Sequence, residues 1–291
     1  MALSIVAAGL TDQGMRRKNN EDALLVRDDL FVVADGMGGH AGGEVASSLA
    51  VEAVRKDMSD GASFGESDLL GAVRFANQRI LVRAQNDEAL HGMATTVVAA
   101  AWVPALDQLR IAHVGDSRAY RIRGGVIRQI TRDHSLIAEY ERDFPFMSPE
   151  ERARIPTHVV TRALGLGMDV NVDMTVEEPR DGDIYLLCSD GLTGMLTDQQ
   201  ILMLARTNDV SVAARRLIDH ANAAGGDDNV TVVVFRFTED GGPKRLGNPQ
   251  PWPDEVPTKN VSKAEGFPWF PIVVGAWLGL VAGVILGRRR D

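Results

Sequence analysis

Residues 95–131 read TTVVAAAWVPALDQLRIAHVGDSRAYRIRGGVIRQIT, and no helix fits between the apolar runs of that stretch. Thr95–Val103, Gln108–Val114, Arg118–Arg123 and Val126–Thr131 are four strand-like runs rich in Val, Ile and Ala, separated by short turn-prone segments. Gly124-Gly125 joins the last two as a hairpin. Strands that follow one another this closely pair antiparallel, because a parallel neighbour needs a crossover of about a dozen residues or more. Similar runs occur at Leu3–Gly9, Leu30–Ala34, Ile184–Cys188 and Asn229–Phe237. Two segments differ: His40–Met58 and Glu66–Gln85 carry apolar residues at three-to-four spacing, which predicts helices. Ser148-Pro149-Glu150-Glu151 and Thr197-Asp198-Gln199-Gln200 read as capping-box starts of further helices. The expected fold class is α+β, an antiparallel β-sandwich flanked by helices.

The chain has 291 residues, 45% of them hydrophobic, enough for a sizeable buried core. Its net charge of −9 is unevenly spread, with an acidic body over 1–240 and a basic remainder. An acidic body lacks the basic footprint that counterion release requires, so a nucleic-acid substrate is disfavoured. The single cysteine, Cys188, rules out an intrachain disulfide and a thiolate zinc finger. MALSIVAAGL at the start is apolar over too few residues, with no basic region before it, to resemble a secretory signal, and reads as a first strand.

The catalytic body is expected to span 1–238. Residues 239–266, with Pro243, Pro249, Pro251, Pro253 and Pro257, read as an extended linker. Residues 267–287 carry no charge, and as a helix rising ~1.5 Å per residue they reach across a hydrocarbon layer of ~30 Å. That predicts a transmembrane helix, followed by a basic tail, 288–291. Gly275, Gly279, Gly283 and Gly287 recur along one ridge, a candidate face for helix self-association. Arg288, Arg289 and Arg290 argue for a cytoplasmic C-terminus and hence an external catalytic domain, whereas Lys259 and Lys263 on the linker side offset part of that bias and residues 1–240 carry no export signal. The expectation is a single-pass C-terminal anchor with the catalytic domain in the cytoplasm.

The chemistry is carried by acidic residues at strand ends. Asp35-Gly36 follows LFVVA, Gly115-Asp116 follows IAHV, Ser189-Asp190-Gly191 follows IYLLC, and Asp228-Asn229 precedes VTVVVF. A carboxylate at a strand end is fixed in place with its oxygens toward solvent, and several such ends can converge. Hard oxygen ligands without soft partners suit Mg²⁺ or Mn²⁺. A rival reading takes Gly36-Met37-Gly38-Gly39-His40-Ala41 as a dinucleotide-binding loop. Against it, Asp35 would repel a pyrophosphate, and the hairpin-rich remainder supplies no repeated βαβ units. A cysteine phosphatase loop would place arginine six residues after the nucleophile, where Gly194 stands.

Arg17-Lys18-Asn19-Asn20-Glu21-Asp22, Asp35-Gly36-Met37-Gly38-Gly39, Gly92-Met93-Ala94-Thr95-Thr96, Val114-Gly115-Asp116-Ser117-Arg118, Asp133-His134-Ser135, Ser189-Asp190-Gly191 and Asp228-Asn229 occur in that order. Together they resemble the motifs of the metal-dependent protein phosphatases of the PP2C type, bacterial branch, over about Ala7 to Phe237. The resemblance implies α-β-β-α layers and hydrolysis of phosphoserine and phosphothreonine on proteins by a water activated between two Mn²⁺ or Mg²⁺ ions, opposing Ser/Thr kinases. It implies that Asp35 bridges the two ions, that the Gly36 carbonyl binds one, and that Asp190 and Asp228 complete the other. Glu21 and Asp22 would hold metal-bound waters, Asp116 with Asp190 would form an optional third site, and Arg17 would bind the substrate phosphate. Asn229 would orient its neighbour or a water, and His134 would hold the start of the next helix. Met37 stands where many eukaryotic relatives have histidine, which leaves leaving-group protonation open between His40 and a metal-bound water. Leu136–His158 corresponds to a mobile flap beside the site. A membrane-bound kinase is the expected partner class beside phosphoprotein substrates.

Overall fold

In the computed structural model of the chain, residues 3–38, 42–58 and 66–239 are described. Two antiparallel sheets lie face to face. The first contains β1 (Ser4–Asp12), β11 (Val230–Thr238), β10 (Ile184–Cys188), β7 (Arg118–Arg123) and β8 (Val126–Gln129), in that spatial order. The second contains β2 (Asp22–Arg27), β3 (Leu30–Met37), β5 (Val97–Val103), β6 (Gln108–Val114) and β9 (Asp173–Glu177), with the two-residue β4 (Ala94–Thr95) also on β3.

The period-2 geometry of strands divides each sequence run between two cores. In β3, Leu30, Val32 and Ala34 meet α1 (Gly42–Asp57) and α2 (Glu66–Gln85), while Phe31 and Val33 face the other sheet. In β11, Val230, Val232 and Val234 meet α6 (Asp198–Ala205) and α7 (Val210–Ala223), while Val233, Phe235 and Phe237 turn inward. This produces the expected order helix, sheet, sheet, helix. Between the sheets the Phe31 and Phe235 rings stack with centroids 4.1 Å apart, and Trp102 meets Phe237 edge-on at 4.9 Å. Ala46, Ala50 and Ala53 form the inner face of α1 and let it lie close on the second sheet.

The run Thr95–Val103 does not form one strand. It is interrupted at Thr96, where the side-chain hydroxyl accepts from Asp35 N–H in place of a ladder carbonyl. Elements absent from the sequence expectation are β2, β9, the one-turn α5 (Asp190–Thr193) and α7, while the helix expected after His134 is α3 (Leu136–Asp143). The capping boxes expected at Ser148 and Thr197 are both present, opening α4 (Pro149–Arg152) and α6. His40, most of the linker 239–266, the segment 267–287 with Gly275, Gly279, Gly283 and Gly287, and the tail 288–291 lie outside the described residues. Among the described residues no helix is long and apolar enough to cross a membrane.

Candidate metal centre

Asp35 sits near the end of β3, and its backbone is gripped from β4 and the Thr96 break. Its carbonyl accepts from Thr96 N–H at 2.9 Å and from the Thr95 hydroxyl at 2.8 Å. With the main chain satisfied this way, the carboxylate is free to face the site. Asp22 lies opposite it in the β2–β3 register. The Ser189 hydroxyl donates to Asp22 Oδ2 at 2.7 Å and itself accepts from Thr231 N–H at 3.0 Å, which joins the two sheets at this point. Asp22 Oδ1 is buried with no protein partner. Asp190, next in the chain after Ser189, opens α5 and lies near enough to Asp35 for its charge to raise the Asp35 pKa.

Burial is the first cause of every acid shift here, and neighbouring carboxylates add to it. Asp35 is held well above the usual carboxylate range by burial and by Asp22, Asp190 and Asp116. Burial, with Asp190 and Asp228, pushes Asp22 up to about 7. Burial, with Asp190 and Asp133, does the same to Asp116. Asp190 is raised by burial and by Asp228, and Glu21 is raised by burial. Asp35 and Asp190 still keep some exposed surface, so the cluster is not sealed from solvent.

Asp228 is engaged differently. Arg17 Nη2 lies 2.5 Å from its Oδ2, and this bond holds the guanidinium above its ordinary pKa. Asn229 ties down the loop that carries Arg17 and Glu21: its amide donates to Gln13 O and Asn19 O, both at 2.9 Å, and its Oδ1 accepts from Glu21 N–H at 2.8 Å. It therefore orients a loop, where sequence suggested a neighbour or a water. Gly36 is a close-approach position, since a Cβ there would stand 2.1 Å from Gly43 O. The cap of α3 is Ser135, whose Oγ accepts from Ala138 N–H at 3.4 Å. His134, expected to hold that helix start, instead meets the Gly115 peptide, as the Gly115 N–H donates to its Nδ1 at 3.1 Å.

Two features were not read from sequence. His158, exposed in the segment returning from α4, lies near enough to Asp190 to draw that carboxyl's pKa down. No motif marks it. The second is a group to one side, His113, His134 and Asp173, whose ligand-type atoms lie within 4.8 Å of one another. His113 had a signal available, since it is a histidine in register with the inward-facing Leu109 and Ile111 of its strand.

The residues around Asp35 fit hard divalent cations. The donors are carboxylates and a backbone carbonyl, Asp22 Oδ1 lacks a partner, and several carboxylates are crowded until some hold protons. Neutral hydrogen-bonding partners would leave that repulsion in place.

Known proteins place this arrangement. The sequence model of the family described as Protein phosphatase 2C matches residues 15–227. The chain is 40% identical over 230 residues to the serine/threonine protein phosphatase PstP of Mycobacterium tuberculosis, a match covering 78% of this chain and 44% of that protein. The chain thus spans less than half the length of this mycobacterial relative. It is 37% identical over 237 residues to the serine/threonine phosphatase stp of Listeria innocua, covering 77% of this chain and 92% of that one. Among solved structures, the PstP catalytic domain in complex with two manganese ions superposes with a TM-score of 0.74 at 39% identity, covering 81% of this chain and all of that one.

Proposed function

The chain belongs to the protein phosphatase 2C family, and from that premise we propose that it hydrolyses phosphoserine and phosphothreonine on proteins. The observation that carries the reading is the convergence of Asp22, Asp35, Asp116 and Asp190 into one cluster, where burial first and the neighbouring carboxylates second raise their pKa values. Two Mn²⁺ or Mg²⁺ ions would supply activation of a water and neutralise charge developing on the phosphoryl oxygens. Asp35 would bridge them, the Gly36 carbonyl would serve one, and Asp190 and Asp228 the other. Glu21 and Asp22 would hold waters by hydrogen bonds, and Asp116 with Asp190 would take an optional third ion. Arg17, half-exposed and bonded to Asp228, would turn its guanidinium fork to a substrate phosphate.

Hydrolysis of a phosphothreonine peptide by the full chain, with Mn²⁺, Mg²⁺ or EDTA, tests this reading. Metal-dependent turnover lost in both Asp35→Asn and Asp190→Asn is the expected result. Metal binding without turnover in the unaltered chain would replace it with a phosphoprotein-binding module.

The reading extends to a cytoplasmic catalytic domain held at a membrane by residues 267–287, acting against a membrane-bound Ser/Thr kinase, with the Gly275, Gly279, Gly283 and Gly287 ridge as a self-association face. The anchor is supported by the uncharged length of that segment, and the cytoplasmic side by the phosphoprotein substrates of the proposed activity, against the bias of the arginines that follow the segment. Deleting 266–291 is expected to move the protein from the membrane fraction to the soluble fraction of cells. An unchanged distribution would remove the anchor, and crosslinking that stays monomeric in membranes would remove the self-association.

A further inference from the structure

His113, His134 and Asp173 have the donor types of a metal site, but their hydrogen bonds assign them another task. The buried Gly115 N–H donates to His134 Nδ1 at 3.1 Å, so that nitrogen carries a lone pair and no proton. In the neutral ring the proton then sits on Nε2, 3.3 Å from Asp173 Oδ2, which accepts it. Arg162 Nη1 also lies 3.3 Å from that Nε2. Two donors cannot pair, and Arg162 instead donates to Asp173 Oδ1 at 3.1 Å. The lone pair that a cation would need on Nε2 is therefore absent for as long as Gly115 occupies Nδ1. His113 is fixed in a similar way, its Nε2 donating to Arg132 O at 2.7 Å and its ring stacked on His134 with centroids 4.6 Å apart.

We propose that His134, locked as the Nε2–H tautomer by Asp173, is a positioning residue that clamps the Gly115 peptide and so aims the Asp116 carboxylate. The clamp is two-sided, because His134 N–H also donates to Gly115 O at 2.9 Å. Gly115 adopts φ +106, and a Cβ there would stand 2.6 Å from the Thr96 side chain, so the turn has one shape. On the far side of Asp116, Ser117 Oγ is fixed at 2.7 Å from Thr96 Oγ1. Asp116 is thus held from both flanks. The His134 carbonyl in turn accepts from Thr161 N–H at 2.8 Å, and Leu136 N–H donates to Val159 O at 2.8 Å. The two flanks of segment 136–158 are therefore tied to each other, and the returning one to His134, through Thr161.

This inference rests on the reading of Asp116 as a cation ligand, and two measurements on the full chain separate the two. Nitrogen-15 NMR of histidine-labelled protein should find Nε2 protonated and Nδ1 bare in His134. A protonated Nδ1, or joint shifts of His113 and His134 on adding zinc chloride, would overturn the clamp whether or not the variants fold. Manganese binding, followed by electron paramagnetic resonance, then compares His134→Asn, whose Oδ1 can still accept from Gly115, with His134→Gln, which reaches only Asp173. The weakest Mn²⁺ site should weaken about tenfold in the glutamine variant and stay within about twofold in the asparagine variant, the scale of outer-shell effects on metal sites. Equal loss in both, or loss in neither, refutes the assignment. Failure of the unaltered chain to bind manganese would instead sink the proposed function, with the tautomer result still deciding the clamp.

Discussion

At the scale of single residues, the acidic cluster trades stability for charge density. Asp22 and Asp116 have folded-state pKa values raised from 3.8 to about 7, so the folded chain binds more protons than the unfolded one between those values. The stability linked to them is full below the unfolded pKa and is lost as pH rises through about 7. The EDTA-treated chain is therefore expected to show a urea midpoint that falls between about pH 5 and about pH 8. The fall should be shallower in Asp116→Asn. A midpoint that is flat or rising in the unaltered chain would contradict the crowding of these carboxylates. Arg17 belongs to the same scale. Its role in sequence came only from the family resemblance, and its bond to Asp228 joins residues 211 apart in sequence and depends on the fold.

At the scale of elements, the signals that worked were local ones. The capping box of α6 has Thr197 Oγ1 accepting from Gln200 N–H and the Gln200 side chain returning to Thr197 N–H. Thr197→Ala is expected to cost about 1 kcal/mol in denaturant unfolding and to leave metal-dependent turnover unchanged. A change in turnover without a change in stability would reverse that assignment. The segment 136–158 stands apart, carrying α3 and α4 and exposing Phe144 and Phe146, the latter 98% exposed. Shortening it should impair hydrolysis of phosphoproteins more than of a small aryl phosphate; equal losses on both would refute that division. The elements missed from sequence had weaker signatures. β9, DMTVE, is a mostly polar edge strand, and β2 begins with the charged Asp22 directly after Glu21. α7 did carry the pattern, since Val210, Ala213, Ala214, Leu217, Ile218 and Ala221 are buried at three-to-four spacing.

At the scale of the whole molecule, the two sheets are joined by a single inter-sheet core in which Phe31, Tyr185, Phe235 and Phe237 are all fully buried. Phe235 stacks on both Phe31 and Tyr185, so Phe235→Ala should cost about 3–5 kcal/mol in unfolding free energy. A loss below about 1 kcal/mol would mean that the sheets repack around the gap. The period of the apolar runs, the closely spaced strands and the strand-end aspartates determined the antiparallel layered fold and the oxygen-rich chemistry, because side-chain alternation and turn chemistry are written in neighbouring residues. Only the tertiary structure decided which carboxylates crowd one another, that Asn229 ties down the Arg17 loop, and that His134 Nδ1 serves the Gly115 peptide. Those facts depend on strands from opposite sheets arriving at one edge, and no local pattern in the chain encodes a distance between residues far apart in sequence.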